Sequence, residues 1–140
     1  MERPEFPKRA VVTGGMPYGN KTLHFGHIGG MFVHADVFAR FLRDRIGKDN
    51  VVFVSGTDCY GSPIAEGYRK KVDNEGYEGT IEDYVAENHL AQKKTLDDYK
   101  ISLNLFGASG LGDTKEVHQE ETNEFIETLY ANGWLEKLVT

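Results

Sequence analysis

Apolar positions along this chain switch between the short runs of strands and the three-to-four spacing of helices. Ala10, Val11 and Val12 lie in a run from Arg9 to Thr13 that reads as a buried strand, closed by Gly14-Gly15 and Pro17. From about Gly26 to Arg45, Phe32, Val33, Val37, Phe38, Phe41 and Leu42 recur at helical spacing, with Arg40, Arg43 and Asp44 on the polar face and Gly47 as a stop. Val51 to Val54 then has the length and β-branching of a buried parallel strand. Strand, helix and strand make one βαβ unit with an expected right-handed crossover, so the fold class is α/β with a doubly wound parallel sheet.

The second half is more helical and more polar. Pro63 to about Val72 reads as a short helix, and Asn74-Glu75-Gly76 as a turn. Thr80-Ile81-Glu82-Asp83 is a strong helix cap leading to about Tyr99. Ile101 to Phe106 is a candidate strand, and the glycines of Gly107 to Gly112 predict a loop. Asp113 or Thr114 is expected to cap a helix through about Ala131, closed by Asn132-Gly133. Leu135 to Thr140 has the look of a further element, which points to the front part of something larger.

Composition narrows the class without naming a function. The 140 residues suit one domain, and the net charge of -6 argues against a freestanding polyanion-binding module with a basic face. Cys59 is the single cysteine, so no intrachain disulfide is possible. No stretch approaches the roughly 18 apolar residues of a membrane span. The N-terminus, Met1 to Glu5, lacks the apolar core of a signal peptide, so a cytoplasmic location without membrane association is expected.

The candidate chemistry sits at the first strand-to-helix turn. Met16-Pro17-Tyr18-Gly19-Asn20-Lys21-Thr22-Leu23-His24-Phe25-Gly26-His27 places two imidazoles at a helix start, where backbone N–H groups and the helix dipole favour phosphate. With a helix starting near Leu23, His24 and His27 face the same way, and Gly26 lets a ligand approach closely. Such a pair suits the charge that grows on phosphate oxygens during transfer. Taken alone, His-x-Gly-His also fits two ordinary helix residues, or two members of a metal site that needs a third ligand. At the second turn, Asp58 follows the Val51 to Val54 strand and is placed either to pair with an ammonium group or to cap an Asx-turn.

The segment from Pro17 to His27, followed by His34-Ala35-Asp36-Val37, resembles the class I aminoacyl-tRNA synthetases. The Pro-Tyr-x-Asn lead-in resembles their methionine, isoleucine, leucine and valine subgroup. Gly56-Thr57-Asp58 is similar to the methionyl-tRNA synthetases, whereas leucine and isoleucine enzymes usually carry Gly-Trp-Asp. Lys100 to Asn104 resembles their Phe-x-Ile-Ser-x-Asp segment, and Asp113 to Trp134 their next helix. Two positions depart from the pattern. Cys59 stands where a Glu or small residue is usual, and Tyr60 where His is usual.

The resemblance implies a Rossmann-like fold, with residues 1–140 forming the N-terminal half of the catalytic domain and ending before its connective insertion. It implies ATP, with Mg2+ carried as ATP-Mg, and L-methionine as substrates, with tRNA met through regions outside this chain. His24 and His27 would be catalytic, and ATP would meet Pro17, Asn20, His24, Gly26 and His27. Methionine would meet Gly15, Met16, Tyr18, Thr57 and Asp58, and no residue of this segment would hold zinc or another metal. Lys21 reads as a solvated loop lysine, His34 and Asp36 as helix packing residues, Cys59 as a buried inert thiol, and Glu116 to Glu127 as a solvated helix face.

The family's second signature, Lys-Met-Ser-Lys-Ser or similar, has no counterpart here, so the chain alone is expected to activate methionine poorly or not at all. Three other readings stay open. They are a stand-alone ATP- or amino-acid-binding module derived from a synthetase, another class I synthetase of the isoleucine, leucine and valine group, and a small cytidylyltransferase-like enzyme.

Overall fold

Three parallel strands carry the fold, in the order β1 (Ala10–Thr13), β2 (Val51–Thr57) and β3 (Leu105–Ala108). The computed structural model describes residues 5–138; residues 1–4 at the N-terminus and 139–140 at the end of the expected last element lie outside it. Val12 is in register with Phe53, and Gly56 with Gly107.

The first crossover is helical from Phe25 to Ile46, as α1 (Phe25–His27), a π-helical turn (Ile28–Phe32) and α2 (Val33–Ile46). Gly47 ends it at φ 91° and a short 3-10 turn leads into β2. The second crossover holds α3 (Ser62–Glu75) and α4 (Ile81–Asp98), and α5 (Asp113–Ala131) follows β3. Parallel strands linked by helical crossovers give the expected Rossmann-like α/β arrangement.

One face of the sheet is packed. Val12, Val51 and Phe53 form a core with Ile28, Phe32, Ala39, Leu42, Leu96 and Ile101. On the opposite face Val11, Val52 and Leu105 are exposed. A second cluster joins α3 to α4 through Ile64, Tyr84 and Val85, bordered by Tyr68 and Tyr77, whose rings meet edge-on.

Several expectations are corrected. Val33, Val37, Phe38 and Phe41 are exposed, and of the two expected packing residues Asp36 is buried whereas His34 is exposed. The Asp36 carboxylate accepts the N–H and hydroxyl of Ser102 and pairs with Arg40 Nε at 2.7 Å, latching the segment after α4. The candidate strand at Ile101 to Phe106 begins only at Leu105, because Asn104 leaves the ladder to bond Phe53 through both its backbone and its side chain. Gly107 and Ala108, expected in a loop, are strand residues. A Cβ on Gly56 would lie 2.8 Å from the Gly107 carbonyl oxygen, so glycine there serves close strand approach.

Helix ends also shift. Helix α3 runs to Glu75, with Gly76 as its left-handed cap at φ 66°. The N-cap of α5 is Gly112, not Asp113 or Thr114, and the Thr114 hydroxyl turns back to the Ala108 and Leu111 carbonyls. Residues 134–138 adopt no regular element. Thr80 and Asp83 do form the expected capping box. Among the described residues no helix is long and apolar enough to cross a membrane.

Candidate functional site

The loop leaving β1 folds across the carboxyl end of β2. Gly14 N–H donates to the Val54 carbonyl at 2.9 Å, continuing the ladder past the strand end. Asp58 N–H then donates to the Pro17 carbonyl at 2.9 Å, and Gly19 N–H to the Asp58 carbonyl at 2.8 Å, which pairs Tyr18 with Asp58 as an isolated parallel bridge. Gly19 permits this. A Cβ there would lie 2.8 Å from Val85 Cγ1 and 3.0 Å from Thr57 Cγ2. The two motifs therefore meet at the end of the strands where open α/β sheets bind ligands.

The histidines organise the helix start. His24 is the N-cap, so the helix starts at Phe25, two residues later than Leu23, and His27 is its third residue. Gly26 N–H donates to His24 Nδ1 at 3.1 Å, and His24 N–H donates to His27 Nδ1 at 3.2 Å, so the rings form a reciprocal capping box. Their centroids are 3.8 Å apart. A nitrogen that accepts an N–H carries no proton, so in each neutral ring the proton is on Nε2. The cap thus sets the tautomer and makes each Nε2 a donor. Burial, with help from His24 and Lys21, lowers the His27 pKa and favours this neutral state.

Gly26 belongs to the same device. A Cβ there would sit 3.0 Å from His24 Cε1, so a side chain would crowd the ring that folds back over it. The π-helical turn that follows carries Met31 back toward the loop, with its sulfur 3.1 Å from Gly15 N. A π-turn inside an α-helix often marks a functional site.

The remaining expected site residues divide in two. Met16 and Tyr18 are substantially exposed beside the bridge, and the Gly15 carbonyl accepts the Ser55 hydroxyl at 3.1 Å. Asp58 Oδ1 accepts the Tyr60 N–H at 3.1 Å, an Asx-type contact that uses one of its two carboxylate oxygens. Pro17, Asn20 and Thr57 face inward. Pro17 contributes its carbonyl to the bridge, and Asn20 Nδ2 donates to the Pro63 carbonyl at 3.1 Å while its Oδ1 is buried with no hydrogen-bond partner. Thr57 is fully buried, its hydroxyl bonded to Gln92 and His89 at 2.8 Å each, so its side chain supports the site from behind.

Gln92 and His89 are the functional candidates that motif reading missed. Val85, His89, Gln92 and Leu96 follow the helical spacing of a buried face, and two polar residues on it are the available signal. Cys59 is half-buried, with its N–H on Ser109 Oγ at 2.9 Å, and burial raises its thiol pKa. His34 lies exposed with Nδ1 near the Gly30 carbonyl at 3.2 Å. Among the described residues no group of three His, Cys, Asp or Glu side chains is placed to hold a metal ion.

Comparison with known proteins shows the family and the fold. The family model described as tRNA synthetases class I (M) matches residues 10–139. The methionine-tRNA ligase of Cytophaga hutchinsonii is 32% identical over 127 residues, covering 91% of this chain and 17% of that protein. That of Pyrococcus abyssi is 34% identical over 132 residues, covering 94% and 17%. The structure of Mycobacterium tuberculosis methionyl-tRNA synthetase in complex with methionyl-adenylate superposes with a TM-score of 0.74 at 25% identity, covering 91% of this chain and 22% of that one. The chain thus spans about a sixth of the length of these curated relatives. With its two motifs joined at the strand ends and nearly its whole length matched by the model, the chain belongs to the methionyl-type family of class I tRNA synthetases.

Proposed function

We propose that residues 1–140 form the N-terminal half of a Rossmann-like catalytic domain that activates methionine with ATP, in the cytoplasm, for transfer to tRNA. An oxygen of the methionine carboxylate attacks the α-phosphorus of ATP. The bond to the β-phosphate breaks and pyrophosphate leaves with the electron pair, giving methionyl-adenylate. Magnesium enters as ATP-Mg, and tRNA is met through other regions of the complete enzyme.

The observation that carries this reading is the capping box of His24 and His27, joined by the Tyr18–Asp58 bridge to the second motif. The two Nε2 donors meet phosphate oxygens as their charge grows, with Gly26 keeping the approach open. Asp58 pairs with the methionine ammonium through its carboxylate, and Gly15, Met16 and Tyr18 border the thioether. Pro17, Asn20 and Thr57 hold these groups in place.

Methionine-dependent pyrophosphate exchange, run beside calorimetry with ATP and methionine, tests the proposal. Binding of both ligands, with exchange in a chain that also carries the second half of the domain, is expected. Binding without any exchange in such a chain favours a stand-alone binding module, and preference for isoleucine, leucine or valine reassigns the substrate.

A further inference from the structure

We propose that Gln92 is a positioning residue that sets the height of the Tyr18 to Lys21 loop over the end of β2. Gln92 is fully buried on α4, and its amide nitrogen donates to the Tyr18 and Lys21 carbonyls at 2.9 Å each. Both partners are carbonyls, which only accept, so the amide orientation is fixed and Oε1 must face Thr57. There it accepts the Thr57 hydroxyl at 2.8 Å. Having donated its one proton, Thr57 Oγ1 accepts from His89 Nδ1 at 2.8 Å, which places that ring's proton on Nδ1. His89 is in turn held flat against Phe106, with centroids 5.3 Å apart and planes 7° from parallel.

Every hydrogen in this relay has one direction, from His89 through Thr57 to Gln92 and on to the loop carbonyls. The loop between those carbonyls contains Gly19, whose N–H closes the bridge to Asp58. A helix outside both signature motifs therefore fixes the backbone that joins them. Gln92 acts through Tyr18 and Lys21 and touches no ligand itself. Its functional consequence, correct spacing between the histidine pair and Asp58, rests on the methionine-activating reading above.

Amide hydrogen exchange of the whole chain tests this directly. In Gln92→Leu the amides of Gly19 and Asp58 should exchange on the order of tenfold faster, while that of Asn104, bonded to the Phe53 carbonyl in the core, changes little. Thr57→Val, which removes the hydroxyl at nearly constant shape, should give the same pattern, and Thr57→Ser should restore protection. An equal rise at all three amides, or Thr57→Ser behaving like Thr57→Val, overturns the proposal. Calorimetry on the same proteins keeps the two readings apart. Weaker ATP binding in Gln92→Leu supports both, whereas a wild-type chain that binds neither ATP nor methionine while showing the exchange pattern upholds the Gln92 role and sinks only the proposed function.

Discussion

Tyr18 and Asp58 pair through two backbone hydrogen bonds of 2.8 and 2.9 Å, although neither belongs to a regular strand. This bridge makes the spacing of the two strand-end motifs a property of the backbone. Side chains on either motif can change without moving it.

Replacing Gly19 therefore attacks the spacing itself. A Cβ 2.8 Å from Val85 Cγ1 and 3.0 Å from Thr57 Cγ2 has to push the loop off β2. Gly19→Ala should cost about 1–3 kcal/mol by the usual overpacking penalty, read as a lower urea midpoint at unchanged slope. Methionine affinity should fall beyond that, since Tyr18 moves with the loop.

His24→Asn separates the two jobs of the first histidine. Asparagine is a good N-cap, so the helix start should keep its stability to within about 0.5 kcal/mol. The Nε2 donor is lost, and in a chain that also carries the second half of the domain pyrophosphate exchange should drop about 10²–10³-fold, the usual loss for one preorganised donor. Retained exchange in this variant would assign the histidines to capping alone.

Stability should depend on pH through the same rings. Burial lowers the pKa of His27 and of His89, so between each lowered value and the ordinary 6.5 the unfolded chain binds more protons than the folded one. Folding free energy present above pH 6.5 is then lost as pH falls through the lowered values. Protonated His27 also cannot accept the His24 N–H. Urea midpoints should decline from pH 7.5 to pH 5, and His27→Gln should flatten the decline.

Much of this was legible because local rules and the fold agree. The runs at Ala10 and Val51, the Gly47 stop and the Thr80 to Asp83 box all appear where the pattern puts them, although both strands, expected to be buried, leave Val11 and Val52 exposed on one face. The apolar pattern misled where a tertiary partner outweighed it. Asp36, read as a packing residue, takes the core position beside exposed Val33, Val37 and Phe38 because Ser102 and Arg40 satisfy its carboxylate, which no apolar count registers. Gly107 reads as loop until Gly56 stands opposite it. At the site, motif spacing pointed to the loop but not to what supports it, because Gln92 meets that loop only through the folded chain.

Asp36 gives a prediction independent of the site. Removing its carboxylate leaves the Ser102 N–H and hydroxyl without their acceptor, so Asp36→Ala should cost about 1.5–3 kcal/mol, the range for hydrogen bonds to charged groups. Its hydrogen bonds lower the carboxyl pKa below 3.8 against the opposing effect of burial. This stabilisation is present above pH 3.8 and disappears as pH falls through the lowered value, well below the histidine window. Acid unfolding should begin at higher pH in the variant.

Cys59 tests whether the thiol next to Asp58 is reactive. Desolvation raises its pKa, with the neighbouring Asp58 charge adding to the effect, and its Sγ lies 3.5 Å from the Thr57 carbonyl, so it stays a thiol at neutral pH. Only the thiolate attacks a disulfide reagent. The native chain at pH 7.5 should react with an aromatic disulfide on the order of tenfold more slowly than the same chain in urea, for which an ordinary thiol pKa applies. A native rate equal to or above the unfolded one would instead mark Cys59 as an activated group beside Asp58.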